Sequence, residues 1–387
     1  MAFRFNFNID DLDEETALEV SKDEDEPQPK NAVVQESFQE IPFSNLLSKA
    51  QLDALPSQVS YSPIQVTLSS GKSKHLARRD LFDARFQLIS EGTGVPEGES
   101  EVNEVDSSSA LAFIDQPSDL VPGVYEGGLK TWECSLDVVD YLSGLKDNEG
   151  FKVEGKRVLE IGCGTAIPSV YLLNELFSAP LQSQPTELHL QDYNASALDL
   201  VTFPNVLLAW YMSPASEVFR QTAALNEEPT DKDALTFPAP DPSAPAELPI
   251  TPELKNAFQS SLRERQITLR FFSGSWSGFD VQQTGGKYDV IVTSETIYRA
   301  DSQPSLIDLL QSACMGSAIH EKLDSKLQVS PPLSTPYLCL VAAKVFYFGV
   351  GGGVTEFIQA VEKRASVETV WEQSIGVGRR IMRVVWK

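Results

Sequence analysis

The sequence is poor in cysteine and in histidine. Its four cysteines form no CxxC pair, and none stands at the Cys/His spacing of a structural zinc site. The three histidines are far apart along the chain, so they indicate neither a catalytic triad nor a metal centre. We therefore expect no bound metal ion, and we expect free, buried thiols in a reducing compartment.

Basic residues are also scarce. Lys and Arg number 31 against 55 Asp and Glu, which gives a formal net charge of -24. A protein that binds the phosphate backbone needs clustered Lys and Arg, so we expect no direct nucleic-acid partner. The charge suits a basic protein partner, and it would equally suit a surface whose only task is solubility.

Long apolar runs are absent as well. No stretch approaches the roughly 18 apolar residues that a membrane-spanning helix requires. The N-terminal residues MAFRFNFNIDDLDEE lack the basic and apolar regions of a signal peptide. We expect a soluble protein without a membrane partner, located in the cytoplasm and nucleus, and we take a monomer as the default.

Composition divides the chain into three parts. Residues 1–40 hold twelve acidic and three basic residues, which predicts a disordered acidic tail. Residues 41–110 are predicted to form an N-terminal extension, and residues 111–387 the main domain. Within that domain, residues 226–253 hold seven prolines and seven acidic residues. We predict that this insertion is disordered.

The extension contains a predicted strand at 60–68, a helix at 77–89 and an acidic linker at 91–106. The helix places four apolar residues near helical spacing, which predicts one buried face. These residues are Leu81, Phe82, Phe86 and Ile89.

Strands alternate with helices in the main domain. The predicted strands are 156–162, 186–192, 267–272, 288–294 and 337–348, and the predicted helices are 132–145, 168–177, 195–210, 304–320 and 354–364. Such alternation indicates a parallel sheet with helices on both faces. The last two strands, within 366–387, are joined by IGVGR, which is too short for a helical crossover. They must therefore pair as an antiparallel hairpin.

A glycine loop follows the first of these strands, in VLEIGCGTA at 158–166. Gly162 and Gly164 permit a tight turn at the carboxyl end of a strand, where open α/β sheets bind ligands. No Gly-Lys-Ser/Thr follows, which excludes a P-loop, and Ile167 replaces a glycine of the dinucleotide fingerprint. A dinucleotide oxidoreductase is therefore disfavoured. Glu160 is costly to bury without a partner, and a cationic amine of the ligand would suit it.

An E-x-G-x-G loop after a strand, together with an antiparallel last strand, resembles the seven-stranded class I S-adenosylmethionine-dependent methyltransferases. The resemblance implies an α/β, Rossmann-like sheet with an antiparallel terminal strand and S-adenosylmethionine as cofactor. Asp192, at the end of the second strand, would accept hydrogen bonds from the ribose hydroxyls. Ala166 replaces the usual third glycine of the loop.

Six segments in the same order resemble, more narrowly, the protein-histidine N-methyltransferases of eukaryotes. They are GVYEGGLKTWECSLDVVDYL at 123–142, LEIGCGTAIPS at 159–169, LQDYN at 190–194, SGSWS at 273–277, VTSETIY at 292–298 and LVAAKVFYFGVGGG at 340–353. The resemblance covers roughly residues 110–387. It implies methylation of one histidine of large-subunit ribosomal protein three, which is a basic protein.

Carried over position by position, the resemblance also implies the cofactor site. Its residues would be Thr131, Trp132, Glu133, Cys134, Ser135, Glu160, Gly162, Gly164, Asp192, Tyr193, Asn194, Gly274, Ser275, Trp276 and Ser294. Glu295 and Tyr298, just past a strand end, are our candidates for orienting the substrate. Neutral imidazole is nucleophilic near neutral pH, so the reaction needs an acceptor for the other ring N–H rather than a strong base.

Two other functions remain open. A protein-lysine methyltransferase of the same fold would need to deprotonate an amine with a pKa of about 10.4. A non-catalytic scaffold would bind the cofactor without transferring its methyl group. The intact set of Glu160, Gly162, Gly164 and Asp192 disfavours the scaffold.

Overall fold

The computed structural model describes residues 44–46, 48–92, 120–121, 125–181, 183–226, 236–316, 337–347 and 352–387. The predicted acidic tail 1–40 lies outside the described residues, as does nearly all of the predicted linker 91–106. None of the described helices is long and apolar enough to cross a membrane.

Strands and helices alternate through most of the described chain. The strands are β1 (Ser44–Leu46), β2 (Gln58–Thr67), β3 (Ser73–Arg79), β4 (Leu120–Val121), β5 (Tyr125–Glu126), β6 (Arg157–Ile161), β7 (Thr186–Asp192), β8 (Ala246–Pro249), β9 (Ile267–Ser273), β10 (Val290–Ser294), β11 (Leu338–Lys344), β12 (Ala365–Gln373) and β13 (Arg379–Trp386). The helices are α1 (Ser48–Ala54), α2 (Leu81–Gly92), α3 (Glu133–Glu149), α4 (Ile167–Ser178), α5 (Phe203–Tyr211), α6 (Glu217–Asn226), α7 (Pro252–Glu264), α8 (Gln303–Met315) and α9 (Val354–Val361).

The central sheet holds eight strands in the order β1-β9-β7-β6-β10-β11-β13-β12. The five strands from β9 to β11 are parallel, and β13 runs antiparallel between β11 and β12. The predicted Rossmann-like class I sheet and its terminal antiparallel hairpin are therefore confirmed. Strand β1 adds an eighth, antiparallel strand beside β9 that the sequence did not predict.

Helices cover both faces of the central sheet because its strands are apolar on both. In β6, Val158 packs with α3, α4 and α5, whereas Leu159 and Ile161 pack with α8 and α9 on the opposite face. This two-sided core fixes the direction of the parallel strands. The carboxyl ends of β6, β7, β9 and β10 consequently meet at one edge.

A second, three-stranded antiparallel sheet is formed by β3, β2 and β8. Strand β8 comes from the segment 226–253, so the prediction of disorder is wrong for that part, while residues 227–235 lie outside the described residues. Leu248 and Ile250 are buried there, which explains why a proline-rich segment is ordered. Pro249 is tolerated because β8 is an edge strand.

Helix α2 begins at Leu81, later than predicted, because β3 continues up to that point. Phe82 and Phe86, which were predicted to be buried, are 56% and 64% exposed. The buried Arg79 donates a hydrogen bond to Asp83 at 2.7 Å, which turns that side of the helix inward. The predicted apolar face is therefore wrong in its phase.

The helix predicted at 195–210 has an irregular start. A turn at Ala195–Ala197 leads into a π-helical segment, Leu198–Thr202, before α5 begins. Pro204 has no N–H to donate, so regular hydrogen bonding is interrupted there. Such π-helical segments often occur at functional sites. This one brings the Thr202 hydroxyl to the Gly164 carbonyl, to which it donates a hydrogen bond.

Candidate functional site

The carboxyl edge of the central sheet borders a cleft that is open to solvent. Ten of the residues predicted from the sequence line this cleft. They are Trp132, Ser135, Gly162, Gly164, Asp192, Tyr193, Trp276, Ser294, Glu295 and Tyr298. The structure therefore brings predicted cofactor residues and predicted substrate residues to one place.

Seven further predicted residues stand beside or behind the lining. They are Thr131, Glu133, Cys134, Glu160, Asn194, Gly274 and Ser275. Several of them support the wall of the cleft: the Thr131 hydroxyl lies 2.9 Å from that of Thr165, and the Asn194 amide donates to the Gly127 carbonyl at 2.7 Å. Their direct contact with a cofactor remains a prediction.

The glycine loop approaches its neighbours too closely for side chains. Gly162 and Gly164 have positive φ angles of 61° and 49°. A Cβ atom at Gly162 would lie 2.5 Å from Thr296 Cγ2, and one at Gly164 would lie 3.1 Å from the Gly128 carbonyl oxygen. Glycine is therefore required at Gly162, and it leaves the loop backbone exposed to a ligand.

Asp192 fixes the glycine loop and lines the cleft at the same time. Its Oδ2 accepts a hydrogen bond from the Gly164 N–H at 2.8 Å, and its Oδ1 accepts one from the Asn194 N–H at 3.0 Å. A carboxylate offers about four acceptor sites, so it can also accept from two vicinal hydroxyls.

Gln191 was not predicted as a site residue, yet it joins two loops of the cleft. Its buried Oε1 accepts from the Gly162 N–H at 3.2 Å and from Trp276 Nε1 at 3.0 Å. Its Nε2 donates to the Gly274 carbonyl at 2.8 Å. The orientation of the Trp276 indole is therefore tied to the glycine loop.

Glu160, at the end of β6, is hydrogen-bonded to Ser169 of α4. It is buried, and its Oε2 accepts from the Ser169 N–H at 2.9 Å and from the Ser169 hydroxyl. Burial raises the pKa of its carboxyl to about 8, although the Ser169 hydrogen bonds oppose that rise. This carboxyl faces the start of α4, and its pairing with the amine of a ligand stays a prediction.

Glu295 also lines the cleft, and its backbone is in a strained conformation. Its φ of 59° is in the left-handed region, which non-glycine residues adopt rarely and mainly at functional sites. Its Oε2 accepts from the Tyr347 hydroxyl at 2.6 Å. Its Oε1 is buried, has no hydrogen-bond donor at ordinary distance among the described residues, and lies 3.8 Å from Lys344 Nζ; the Cys134 thiol is also a neighbour of this carboxylate.

Two tyrosines and a glycine complete the wall near Glu295. The rings of Tyr298 and Tyr347 have their centroids 6.2 Å apart, and both residues line the cleft. A Cβ atom at Gly352 would lie 2.4 Å from the Tyr298 carbonyl oxygen, so that position admits only glycine. The glycine run at 349–353, as far as it is described, thus supports the substrate end.

Eight lining residues were missed by the sequence-based prediction. They are Gly127, Gly128, Lys130, Cys163, Thr165, Thr296, Ser302 and Tyr347. Several lie inside segments that carried the resemblance, and the Gly127-Gly128 pair signals a tight backbone approach. Within the described part of the chain, no three His, Cys, Asp or Glu side chains are grouped so as to hold a metal ion.

The arrangement fits a nucleoside carrying an amino-acid chain. Asp192 offers acceptors for ribose, Trp276 offers an aromatic face for a base, and the glycine loop admits close backbone approach. A cleft of this kind suits S-adenosylmethionine.

Comparison with known proteins supplies a family. The chain is 30% identical to histidine protein methyltransferase 1 of Saccharomyces cerevisiae, over 95% of this chain and 92% of that protein. It is also 30% identical to the Schizosaccharomyces pombe protein of the same name, over 87% and 82%. The chain belongs to the histidine protein methyltransferase 1 family. A homologue from Bos taurus is 34% identical over 65% of this chain and 52% of its own length.

Comparisons with family models and with solved structures do not contribute to the family assignment. No protein-family model matches the chain. Among solved structures, magnesium protoporphyrin IX methyltransferase of Synechocystis with bound S-adenosylmethionine covers 79% of this chain and 91% of that chain, with 12% identity and a TM-score of 0.34. So low a score carries no weight, and the class I fold follows instead from the strand order of the chain itself. The chain is thus a class I, S-adenosylmethionine-dependent member of a protein-histidine methyltransferase family.

Proposed function

We propose that this chain transfers a methyl group from S-adenosylmethionine to a ring nitrogen of one histidine in large-subunit ribosomal protein three. Family membership supports histidine as the acceptor, and the six segments that carry the resemblance support the ribosomal protein. The net charge of -24 suits a basic partner, because complementary charge steers encounter and suppresses wrong partners.

The cofactor would be held by Asp192, the glycine loop and Trp276. When bound, S-adenosylmethionine supplies an electrophilic methyl group and leaves as a neutral sulfide, so no residue has to protonate it. The chain's own residues orient the two reactants and exclude water, which is where most of the rate enhancement of such a reaction arises.

The position of the Glu295 carboxylate in the wall of the cleft carries the proposal. Glu295 lines the cleft, and its buried Oε1 has no hydrogen-bond donor at ordinary distance among the described residues, so a turn of the side chain into the cleft would let it accept the N–H of a substrate imidazole. That hydrogen bond fixes the ring tautomer and leaves the other nitrogen free to attack. It also stabilises the positive charge that develops on the ring. Tyr347 holds the carboxylate in place, and Tyr298 provides an aromatic wall for the ring.

The direct test uses the full chain, labelled S-adenosylmethionine and ribosomal extract. We expect label on a single histidine of large-subunit ribosomal protein three, identified by mass spectrometry, and no label when that histidine is replaced by alanine. Label on a lysine would replace the proposal with the lysine methyltransferase. If calorimetry shows that the chain binds the cofactor but no protein becomes labelled, the non-catalytic scaffold is the function that remains.

We further propose that the chain acts as a monomer in the cytoplasm and nucleus and meets its partner as a free basic protein or within a ribosomal particle. Light scattering of the purified chain tests the first point, and imaging of the tagged chain tests the second. A stable dimer, or confinement to one compartment, would contradict the respective proposal.

A further inference from the structure

Glu295 belongs to a cluster of charged side chains behind the substrate end of the cleft. Lys344 Nζ lies 3.0 Å from Glu133 Oε2 and 3.8 Å from Glu295 Oε1. The same ammonium group lies 4.5 Å from the centroid of the Trp132 ring. Lys344 therefore stands behind the wall that Trp132 and Glu295 present to the cleft.

Other ionisable groups face Glu295 from α3, β13 and the end of β11. Asp137 is paired with Arg379, whose Nε lies 2.6 Å from its Oδ2. Burial raises the pKa of the Cys134 thiol and of the Tyr347 hydroxyl well above their usual ranges, and the charge of Glu295 adds to both shifts. These two groups are thus neutral.

The negative charges of this cluster outnumber its positive charges by one. The carboxylates of Glu133, Asp137 and Glu295 face two cations, Lys344 and Arg379, so the cluster as described carries one net negative charge. Arg379 is committed to Asp137 by two hydrogen bonds. Lys344 is the cation in contact with Glu295.

An unbalanced carboxylate would work against methyl transfer to histidine. An opposite charge within about 4–6 Å raises the pKa of an imidazole, because it favours the protonated ring. A protonated imidazole has no lone pair with which to attack the methyl group. The carboxylate that orients the substrate would then also inactivate it over part of the neutral pH range.

We propose that Lys344 is a positioning residue that offsets the charge of Glu295, so that a histidine ring bound beside Glu295 stays neutral and nucleophilic. Lys344 acts through Glu295 and does not itself touch the substrate. The inference rests on the proposed function, because that function places the imidazole at Glu295.

The test compares the pH dependence of kcat/KM for the wild-type chain, Lys344→Met and Lys344→Arg, with ribosomal extract as the substrate source. Without the ammonium group, Glu295 raises the pKa of the bound imidazole, and a smaller fraction of the ring is neutral at any given pH. We expect the acid limb of Lys344→Met to move upward by about one pH unit. Activity at high pH should recover towards the wild-type level, and Lys344→Arg should follow the wild-type profile.

Two further variants separate charge from structure. In Glu295→Gln/Lys344→Met both charges are absent, so the acid limb should return to its wild-type position even though the rate is low. Lys146→Met removes an ammonium group from a remote pair with Glu175 and should leave the profile unchanged.

Failure of the inference is distinguishable from failure of the proposed function. If wild-type protein methylates no histidine, the function itself is wrong. If wild-type protein is active and the profile of Lys344→Met superimposes on it, Lys344 has no such role. Activity lost equally at every pH in both Lys344 variants would also overturn the inference, because it would show a merely structural contribution.

Discussion

The two ends of the cleft are built from different interactions. At the cofactor end, Gln191 and Asp192 hydrogen-bond to backbone groups of neighbouring loops and thereby fix the glycine loop. At the substrate end, Glu295, Lys344 and Tyr347 contact one another through their side chains, and two of the three are charged. One end is held by backbone geometry, the other by charge.

This difference assigns distinct tasks to the two ends. The hydrogen bonds that Gln191 makes to backbone groups involve no titratable group, so the two loops that they join should keep their positions across the neutral range. Charged side chains respond to pH and to the loss of a partner. Substitutions at the cofactor end should therefore change binding, and substitutions at the substrate end should change turnover.

The largest effect is expected for Glu295→Gln. The variant keeps the volume and one acceptor oxygen but loses the negative charge that stabilises the developing imidazolium. We expect kcat to fall about 100-fold, at the lower end of general acid–base effects. The affinity for S-adenosylmethionine, measured by calorimetry, should stay within about twofold, since a twofold change is under 1 kcal/mol.

The matched control is Glu372→Gln, which removes an exposed carboxylate paired with Arg380 on the terminal hairpin. It should leave both quantities unchanged. Loss of cofactor affinity in Glu295→Gln would break the division between the two ends.

Asp192→Asn probes the cofactor end in the same way. A hydrogen bond to a charged group is worth about 1.5–3 kcal/mol, so losing part of the ribose contact should weaken cofactor binding by about 10–100-fold. At saturating cofactor, kcat should change little. Asp241→Asn is a close control, because Asp241 also accepts from the N–H two residues ahead, at 2.8 Å, but lies on an exposed loop. Normal cofactor affinity in Asp192→Asn would rule out the ribose assignment.

The protonation state of the buried Glu160 carboxyl should make the stability of the chain depend on pH. Its pKa rises from an ordinary 4.5 to about 8 on folding. Between these values the folded chain binds a proton that the unfolded chain has released, so stability falls as pH rises, by at most about 1.4 kcal/mol per pH unit. Above pH 8 this contribution is lost.

Glu160→Gln removes that titration. We expect the wild-type Tm to decline between pH 5 and 8 more steeply than the Tm of Glu160→Gln, as measured by differential scanning fluorimetry. The Ser169 hydrogen bonds keep an acceptor in the variant. Parallel Tm profiles would show that Glu160 is ionised in the folded chain.

The sequence allowed the fold to be predicted because its signals are local. The apolar strand before Gly162 and the short connection before the last strand each fix an element without knowledge of the rest. Two regional predictions failed for the opposite reason. Strand β8 depends on the burial of Leu248, which the proline content of its segment hides. The phase of α2 depends on Asp83 meeting Arg79 at the end of β3.

The residues of the site likewise fall into those that the sequence could predict and those that it could not. Glycines and acids at strand ends were predictable, since their residue types carry the chemistry themselves. Gln191 was not predictable, because a glutamine at a strand end gives no sign that three partners from separate loops will meet it. Tyr347 was missed because its role depends on Glu295, which is distant in sequence.

Gln191→Met tests whether Gln191 is needed to hold the loops of the cofactor end in place. Methionine matches the shape of glutamine but leaves the Gly162 N–H, the Gly274 carbonyl and the Trp276 indole N–H without their partner. We expect KM for S-adenosylmethionine to rise about tenfold, which corresponds to about 1.4 kcal/mol, with kcat nearly unchanged. Gln51→Met, at a buried glutamine bonded to Asp199, is the control and should not change KM. An unchanged KM in Gln191→Met would mean that the loops hold their positions without it.

The smallest effect is expected where alanine replaces the usual third glycine. Ala166 adopts φ 53° at the start of α4, a conformation that costs a non-glycine residue roughly 1–2 kcal/mol. Ala166→Gly would relieve that strain but would lose a buried methyl group worth about 0.8 kcal/mol and gain unfolded-state entropy. Because these contributions nearly cancel, denaturant unfolding should show a change below about 1 kcal/mol. Gly162→Ala adds the same methyl group 2.5 Å from Thr296 Cγ2 and should cost more. If both substitutions cost the same, backbone conformation does not distinguish these two positions of the loop.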